Sequence, residues 1–305
     1  MRAYETAMSG VSPAADAHRS KPGTIEAAVI GYLGSASFSG LAPSTRRTRR
    51  QVLDHFRRAH GDKGVATLQK HHVERMIAAK STPATALLLL KTIRELMKYA
   101  VKVGLRRDDP TTGIQKPKFG KNVGLPTWTE EDIARFEARH PVGTKARLAM
   151  ALGLYTGQRG SDVVRMGPQH IKEGVLHLRQ QKTGTPLLIP VHPELKALLD
   201  AVPPGQLVFL TGRGVRPFKP EAFSIWFKER CREADLPPRV SFHGLRKAAA
   251  RRLAEAGMSA NVIAAVTGHK SLAEVARYTA AADQLRLARQ GIEALGGKRS
   301  ENNKV

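Results

Sequence analysis

The stretch Val175-Leu176-His177-Leu178-Arg179-Gln180-Gln181-Lys182-Thr183-Gly184-Thr185-Pro186-Leu187-Leu188-Ile189-Pro190-Val191 breaks an otherwise helical pattern. Val175–Gln181 and Pro186–Val191 are short β runs, and Lys182-Thr183-Gly184-Thr185 between them is a hairpin signal. Upstream, Thr129 stands three residues before Asp132, close to a capping box, and Ala146 to Tyr155 is a strongly apolar helix ended by Gly157. Downstream, helical patterns lie around 220–234, 243–256 and 259–266, and a last one starts at about 282. Residues 127–290 therefore read as one domain, mainly α with a small antiparallel β-sheet, followed by a C-terminal tail over 291–305.

The N-terminal third has a different pattern. Residues 1–23 are rich in Ala, Ser, Gly and Pro and read as a flexible tail. Residues 24–106 read as an all-α unit. Ile25, Val29, Ile30 and Leu33 sit at helix-face spacing, and Ser44 to Phe56 reads as a capped helix with a basic first turn and a stripe of Val52, Leu53 and Phe56. Val73, Met76 and Ile77 mark a third helix. Thr82-Pro83-Ala84 opens a fourth, with Pro83 in the first turn and Leu87, Leu90, Ile93, Leu96, Met97 and Ala100 at helical spacing. Residues 107–126 hold three prolines and three glycines among basic residues and read as a linker.

Charge narrows the partner. The 305 residues carry 50 Lys+Arg against 26 Asp+Glu, a net charge of +24. Residues 1–121 hold 22 basic and 9 acidic side chains, and residues 122–305 hold 28 and 17, so both halves are basic. Scattered charge of this kind fits nucleic acid better than a membrane surface. Aromatic residues are only 5%, which disfavours single-strand stacking and favours duplex DNA held by its phosphates. The single cysteine, Cys231, rules out an intrachain disulfide framework and a cysteine-cluster zinc site. The N-terminus lacks an apolar core of signal-peptide length, and the densest apolar run, Ala84 to Leu90, is too short to span a bilayer. A cytosolic protein fits.

No phosphate-binding glycine loop, dinucleotide fingerprint or His-Glu-x-x-His is present, and none of the eleven histidines pairs with an acidic or cysteine ligand at metal spacing. Phosphate chemistry would fall to protein side chains. Four segments qualify, each modest alone. In Thr156-Gly157-Gln158-Arg159-Gly160-Ser161-Asp162, Arg159 sits at a turn between a helix ending in Gly157 and one opening at Ser161; it reads equally as a surface arginine. Lys182 sits at the hairpin tip, where lysines are usually just solvated. In Ser241-Phe242-His243-Gly244-Leu245-Arg246-Lys247, His243 and Arg246 share one helix face, a spacing that also arises by chance. Thr267-Gly268-His269-Lys270 is followed nine residues after His269 by Tyr278, which could equally be core packing.

Their order is more specific than any one of them. The series Arg159, Lys182, His243-x-x-Arg246, Gly268-His269, Tyr278 resembles the catalytic domain of the tyrosine recombinases, the phage-integrase family, over about residues 125–290. Residues 24–106 are similar to that family's core-binding (SAM-like) DNA-binding domain. Two positions depart from the usual pattern: Gln158 and Thr267 stand where leucine is common. The resemblance implies a site-specific recombinase that cleaves and rejoins duplex DNA through a 3′-phosphotyrosyl intermediate, with no ATP, no metal and no cofactor. It implies Tyr278 as nucleophile, Arg159 and Arg246 on the phosphate oxygens, His243 as base, His269 as hydrogen-bond donor, Lys182 as acid to the leaving 5′ oxygen, and Asp162 in a supporting role. Candidates for DNA contact are Arg46, Arg47, Arg49, Arg50, Lys80, Thr82 and Lys247. The implied partners are double-stranded DNA, further copies of the chain as a tetramer on synapsed sites, and accessory DNA-bending or directionality proteins, with no membrane and a cytoplasmic, nucleoid-associated location. The integrase of a phage or mobile element is the leading role. A chromosome-dimer resolving recombinase, a type IB topoisomerase and a non-catalytic DNA-binding regulator are the alternatives.

Overall fold

The computed structural model describes residues 20–117, 126–212, 216–273, 275–276, 278, 284, 288–289, 291–293 and 295. Most of the tail read over 1–23, the later part of the 107–126 segment, and most of the helix from about 282 and of the 291–305 tail lie outside the described residues. The chain divides into two compact units, 1–122 and 123–305.

Among its described residues the first unit is built of helices: α1 (Ile25–Leu33), α2 (Ala36–Ser39), α3 (Pro43–His60), α4 (Lys70–Ala78) and α5 (Pro83–Lys102). Thr24 caps α1, and Thr82 caps α5 by accepting from the Thr85 amide at 3.2 Å, with Pro83 in the first turn. The α3 start differs from the sequence expectation: the helix begins at Pro43 and Ala42 occupies the cap position with no side-chain bond, so Ser44 is inside the first turn. Leu53, Phe56, Val73, Leu90, Ile93, Leu96 and Met97 close over Ile25, Val29 and Tyr32 in one core. Each large side chain buried in this way contributes about 1.5–3 kcal/mol. Arg106 is buried against this unit and donates to the carbonyls of Val65 (3.0 Å) and Leu68 (3.1 Å). Arg94 holds the Thr111 carbonyl at 3.2 Å, and Ile114 joins the core. The start of the proline- and glycine-rich segment is thus fastened down.

The second unit contains α6 (Glu130–Arg139), α7 (Lys145–Thr156), α8 (Gly160–Val163), a 3-10 turn at Pro168–His170, β1 (Ile171–Lys172), β2 (Val175–Arg179), β3 (Pro186–Pro190), α9 (Pro193–Asp200), α10 (Pro220–Glu233), α11 (Phe242–Glu255) and α12 (Ala260–Thr267). Thr129 and Asp132 form the capping box of α6. The hairpin has a third strand: the sheet order is β1-β2-β3, antiparallel throughout. Leu176 faces Ile189 and Leu178 faces Leu187 across the ladder, and these four turn to the core while His177 and Leu188 turn outward. Prolines at both ends of β3 are tolerated because it is an edge strand.

Helix α7 is buried on nearly all sides and packs on α11. Its Gly153 lets the two approach: a Cβ there would lie 2.8 Å from Phe242 Cζ. Trp128, Phe136, Phe223, Phe227 and Phe242 fill the space beside α10 and α11, and the Trp128 indole donates to the Ser241 carbonyl at 2.9 Å. This packing fixes the first turn of α11, which carries His243 and Arg246.

Candidate active site

Two left-handed glycines shape the site. Gly157 ends α7 at φ +63°, and Gly268 ends α12 at φ +71°. Each reverses the chain so that a functional residue follows within two positions, Arg159 after the first and His269 after the second. Arg159, half-buried, sits at the N-cap of the single-turn helix α8, and its Nη1 donates to Gln180 Oε1 at 3.1 Å. Arg246 is only 2% exposed, far more buried than a guanidinium on the first turn of a helix usually is. Its Nη1 donates to the Gly157 carbonyl at 2.8 Å and to the Thr267 carbonyl. One arginine thus joins both glycine turns.

His243 stands one turn before Arg246 at the surface. Its pKa is held below the usual 6.5, first by partial desolvation, then by the positive charges of Arg246, Lys247, Arg159 and Lys182. Arg159, Lys182, Arg246 and Lys247, spread over 88 positions of sequence, thus lie near enough for their charge to act on this imidazole. A neutral imidazole surrounded by cations can take a proton at neutral pH. Lys182 is exposed at the hairpin tip. The tip is closed by the Gly184 amide on the Gln180 carbonyl at 2.8 Å and by Arg179 Nη1 on the Gly184 carbonyl at 2.8 Å.

Asp162 is buried, and its Oδ1 accepts from the Gln181 amide at 2.8 Å, tying the hairpin to α8. The half-buried His269 has Nδ1 2.7 Å from Thr267 Oγ1, a hydroxyl that donates to the Ile263 carbonyl at 2.6 Å. With that proton committed, Nδ1 is the donor to Oγ1. The ring of Tyr278 lies 6.2 Å from that of His269, centroid to centroid. Tyr278 also packs beside the small cluster of Ala250, Ala254, Ile263 and Val275, so the packing role is real and leaves it half-buried at the edge of the site. Cys231 is not part of this chemistry: it is buried, and desolvation with the nearby Asp132 charge pushes its thiol up to about 12.

The sequence reading missed the groups that hold these residues in place. Gln158 and Gln180, both fully buried, bond to each other at 2.7 Å. Gln158 donates to the Thr156 and Val266 carbonyls, and Gln180 to that of Thr267. The one signal available was the departure from leucine at 158 and 267.

The residues proposed for DNA contact in the first unit fall into two places. Arg46, Arg47, Arg49 and Arg50 lie on the first half of α3, with Arg47 and Arg50 exposed. Arg49 turns inward, donating to Tyr32 Oη at 2.9 Å and pairing with Glu95 at 3.6 Å, so it is partly committed within the fold. Arg50 stacks over Phe38 at 5.6 Å. Lys80 and Thr82 are exposed between α4 and α5, where the Thr82 hydroxyl serves as the α5 cap. Lys247 is half-buried beside Arg246 in the second unit.

Guanidinium groups held in place, two histidines, a lysine and a tyrosine in this unit make up a candidate centre suited to an anionic, phosphate-bearing substrate. The profile of the phage integrase family matches residues 129–285, and the chain belongs to that family. It is 27% identical over 272 residues to the integrase of Escherichia phage HK022, covering 84% of this chain and 75% of that protein. It is 28% identical over 229 residues to the tyrosine recombinase XerD of Xanthomonas campestris pv. campestris, covering 68% and 70%. The fold matches that of a lambda integrase dimer bound to a COC' core site, with a TM-score of 0.74 at 22% identity, covering 84% of this chain and 95% of that one. The protein is a site-specific DNA recombinase of the tyrosine class, integrase-like.

Proposed function

We propose that the chain cleaves duplex DNA with Tyr278 and serves as the integrase of a phage or mobile element. The observation that carries the catalytic assignment is the joining of Arg159, Arg246 and His269 through the Gly157 and Gly268 turns and Gln180, with the Tyr278 ring 6.2 Å from that of His269. Attack by a phenol on a phosphodiester builds negative charge on the non-bridging oxygens. Arg159 and Arg246 stabilise that charge, since guanidinium stays protonated and forks onto two oxygens. His243, neutral for the reasons above, accepts the Tyr278 proton, and His269, whose Nδ1–H is held by Thr267, donates a further hydrogen bond from Nε2 in its imidazolium form. The phosphorus–oxygen bond to the 5′ carbon's oxygen breaks, and Lys182 protonates that oxygen. The products are a 3′-phosphotyrosyl link and a free 5′-hydroxyl, and attack by another 5′-hydroxyl reverses the step onto a new strand.

Residues 24–106 would act as the core-binding domain and 127–290 as the catalytic domain, joined through 107–126. The integrase role rests on the similarity to the HK022 protein along most of the chain. DNA binding and self-association are the coarser reading; lambda integrase has been solved as a tetramer on a Holliday junction. A tetramer on synapsed sites is the finer reading here, and exposed Ile292 and Leu295 are available to a neighbour, whereas Leu285 of the same stripe lies outside the described residues. Accessory DNA-bending or directionality proteins and a cytoplasmic, nucleoid-associated location belong to the same reading.

The test is covalent capture. The protein is mixed with a fragment library of double-stranded DNA, denatured, and the attached DNA sequenced. Wild type is expected to retain a small set of related sites and Tyr278→Phe none, with equal non-covalent binding. Equal capture by both proteins would remove Tyr278 from the reaction.

A further inference from the structure

Buried polar groups outside the reacting set converge on one residue. Gln180 directly follows β2 and is 0% exposed. Its Oε1 accepts from Arg159 Nη1 at 3.1 Å and from Thr183 Oγ1 at 2.7 Å. Its Nε2 donates to Gln158 Oε1 at 2.7 Å and to the Thr267 carbonyl at 2.8 Å. A primary amide offers two acceptor sites and two donor protons, so the capacity of this one is filled. The reverse orientation would place a carbonyl oxygen against the Thr267 carbonyl and Gln158 Oε1. Gln158 cannot turn to compensate, because its own Nε2 is held by the carbonyls of Thr156 at 2.8 Å and Val266 at 2.9 Å. The network itself fixes which way the Gln180 amide points.

We propose that Gln180 is a positioning residue for strand cleavage, fixing the Arg159 guanidinium and binding the turn after α7, the hairpin and the end of α12 to a single anchor. The proposal rests on the role given to Arg159 above. A cation fixed before the reaction stabilises developing charge without reorganising, and an arginine without its bond to Gln180 would have to be reordered in each event. The anchor also serves the hairpin. The Gln181 amide is held by Asp162 Oδ1 at 2.8 Å, so two consecutive residues are pinned immediately before the exposed Lys182.

The test uses Gln180→Met, which keeps the size and removes the polar contacts, and Gln180→Glu, which keeps an acceptor against Arg159. Single-turnover cleavage, DNA affinity and thermal melting are measured for both, and Gln180→Met is also combined with Arg159→Lys. Gln180→Met is expected to slow cleavage roughly 10- to 100-fold, as for a reacting group displaced by about an ångström, with affinity within about threefold. In the Arg159→Lys background the same substitution is expected to cost severalfold less than in wild type, because one of its targets is already gone. Gln180→Glu is expected to cleave faster than Gln180→Met. Were the amide only a packing element, the order would reverse, since a carboxylate would face the Thr267 carbonyl and Gln158 Oε1. That reversal, an undiminished rate in Gln180→Met, or an equal loss in both backgrounds overturns the proposal. A wild-type protein that forms no covalent complex removes the reading of the site and the proposal with it, whereas a cleaving wild type beside a fully active Gln180→Met removes the proposal alone.

Discussion

Gly268→Ala separates backbone strain from damage to the site. Gly268 has φ +71°. A residue with a Cβ in that left-handed region is disfavoured by about 1–2 kcal/mol. The new methyl would also sit 2.5 Å from Gln180 Nε2 and 2.8 Å from its Cδ, inside any real contact distance. The amide must withdraw, stretching its bonds to the Thr267 carbonyl and to Gln158 Oε1, and a buried donor left unmet costs about 1–3 kcal/mol. The two effects together come to about 2–5 kcal/mol. A unit of this size loses about 2–4 °C of Tm per kcal/mol. Gly257, just beyond α11, supplies the control: its φ is +77° and nothing lies within 4 Å of an added Cβ. Gly257→Ala should therefore show the first cost alone. Thermal melting and single-turnover cleavage of both variants decide the matter. Gly268→Ala is expected to melt lower than Gly257→Ala and to cleave roughly 100-fold more slowly, because Arg159 loses its anchor and His269 follows the altered residue. Gly257→Ala should cleave at the wild-type rate. If the two alanines behave alike in melting and in cleavage, the account of the Gln180 anchor is wrong.

Arg159→Lys and Arg246→Lys keep the charge and lose the fork, so cleavage should fall roughly 10²- to 10³-fold with affinity nearly unchanged; parallel losses in both would make the arginines ordinary phosphate anchors. His243 has its pKa lowered below 6.5, so it is neutral at pH 7 and takes up its proton only at lower pH. Cleavage should rise with pH through that lowered pKa and level off by about pH 7, and His243→Gln should lose this limb; a rate that instead falls as pH rises through 6.5 would make the histidine an acid. With basic residues in both halves of the chain, DNA affinity should drop by roughly 10³-fold between about 50 and 200 mM salt, and a flat profile would detach the +24 charge from DNA.

What was legible in the sequence is what short-range chemistry writes. Thr129 and Asp132 cap their helix as their spacing implies, and Pro83 opens α5 because its missing N–H has no partner to lose there. Gly157 and Gly268 end helices in the left-handed conformation that glycine adopts most cheaply. The hairpin was visible, but β1 was not, since a two-residue strand has no period to read. Helix α9 was missed although Leu195, Leu198 and Leu199 stand at helical spacing in it. The site's order of reacting groups could be read along the chain. Its scaffold could not: Gln180 reaches Thr267 across 87 positions and Gln158 across 22, and no local pattern records a contact of that kind. Arg246 could be read as sharing a helix face with His243, but only the packing of α7 against α11 makes it a buried group holding two carbonyls.

The central claim is that Tyr278 becomes bonded to the 3′ end of a cleaved strand. Mass spectrometry of the trapped complex, after proteolysis and nuclease digestion, measures this directly. The account predicts a nucleotide attached through its 3′-phosphate to the Tyr278 side chain, formed in the presence of EDTA and without ATP, with a free 5′-hydroxyl on the released strand. Attachment at any other residue, a 5′-phosphate linkage, or cleavage with no covalent intermediate would contradict it.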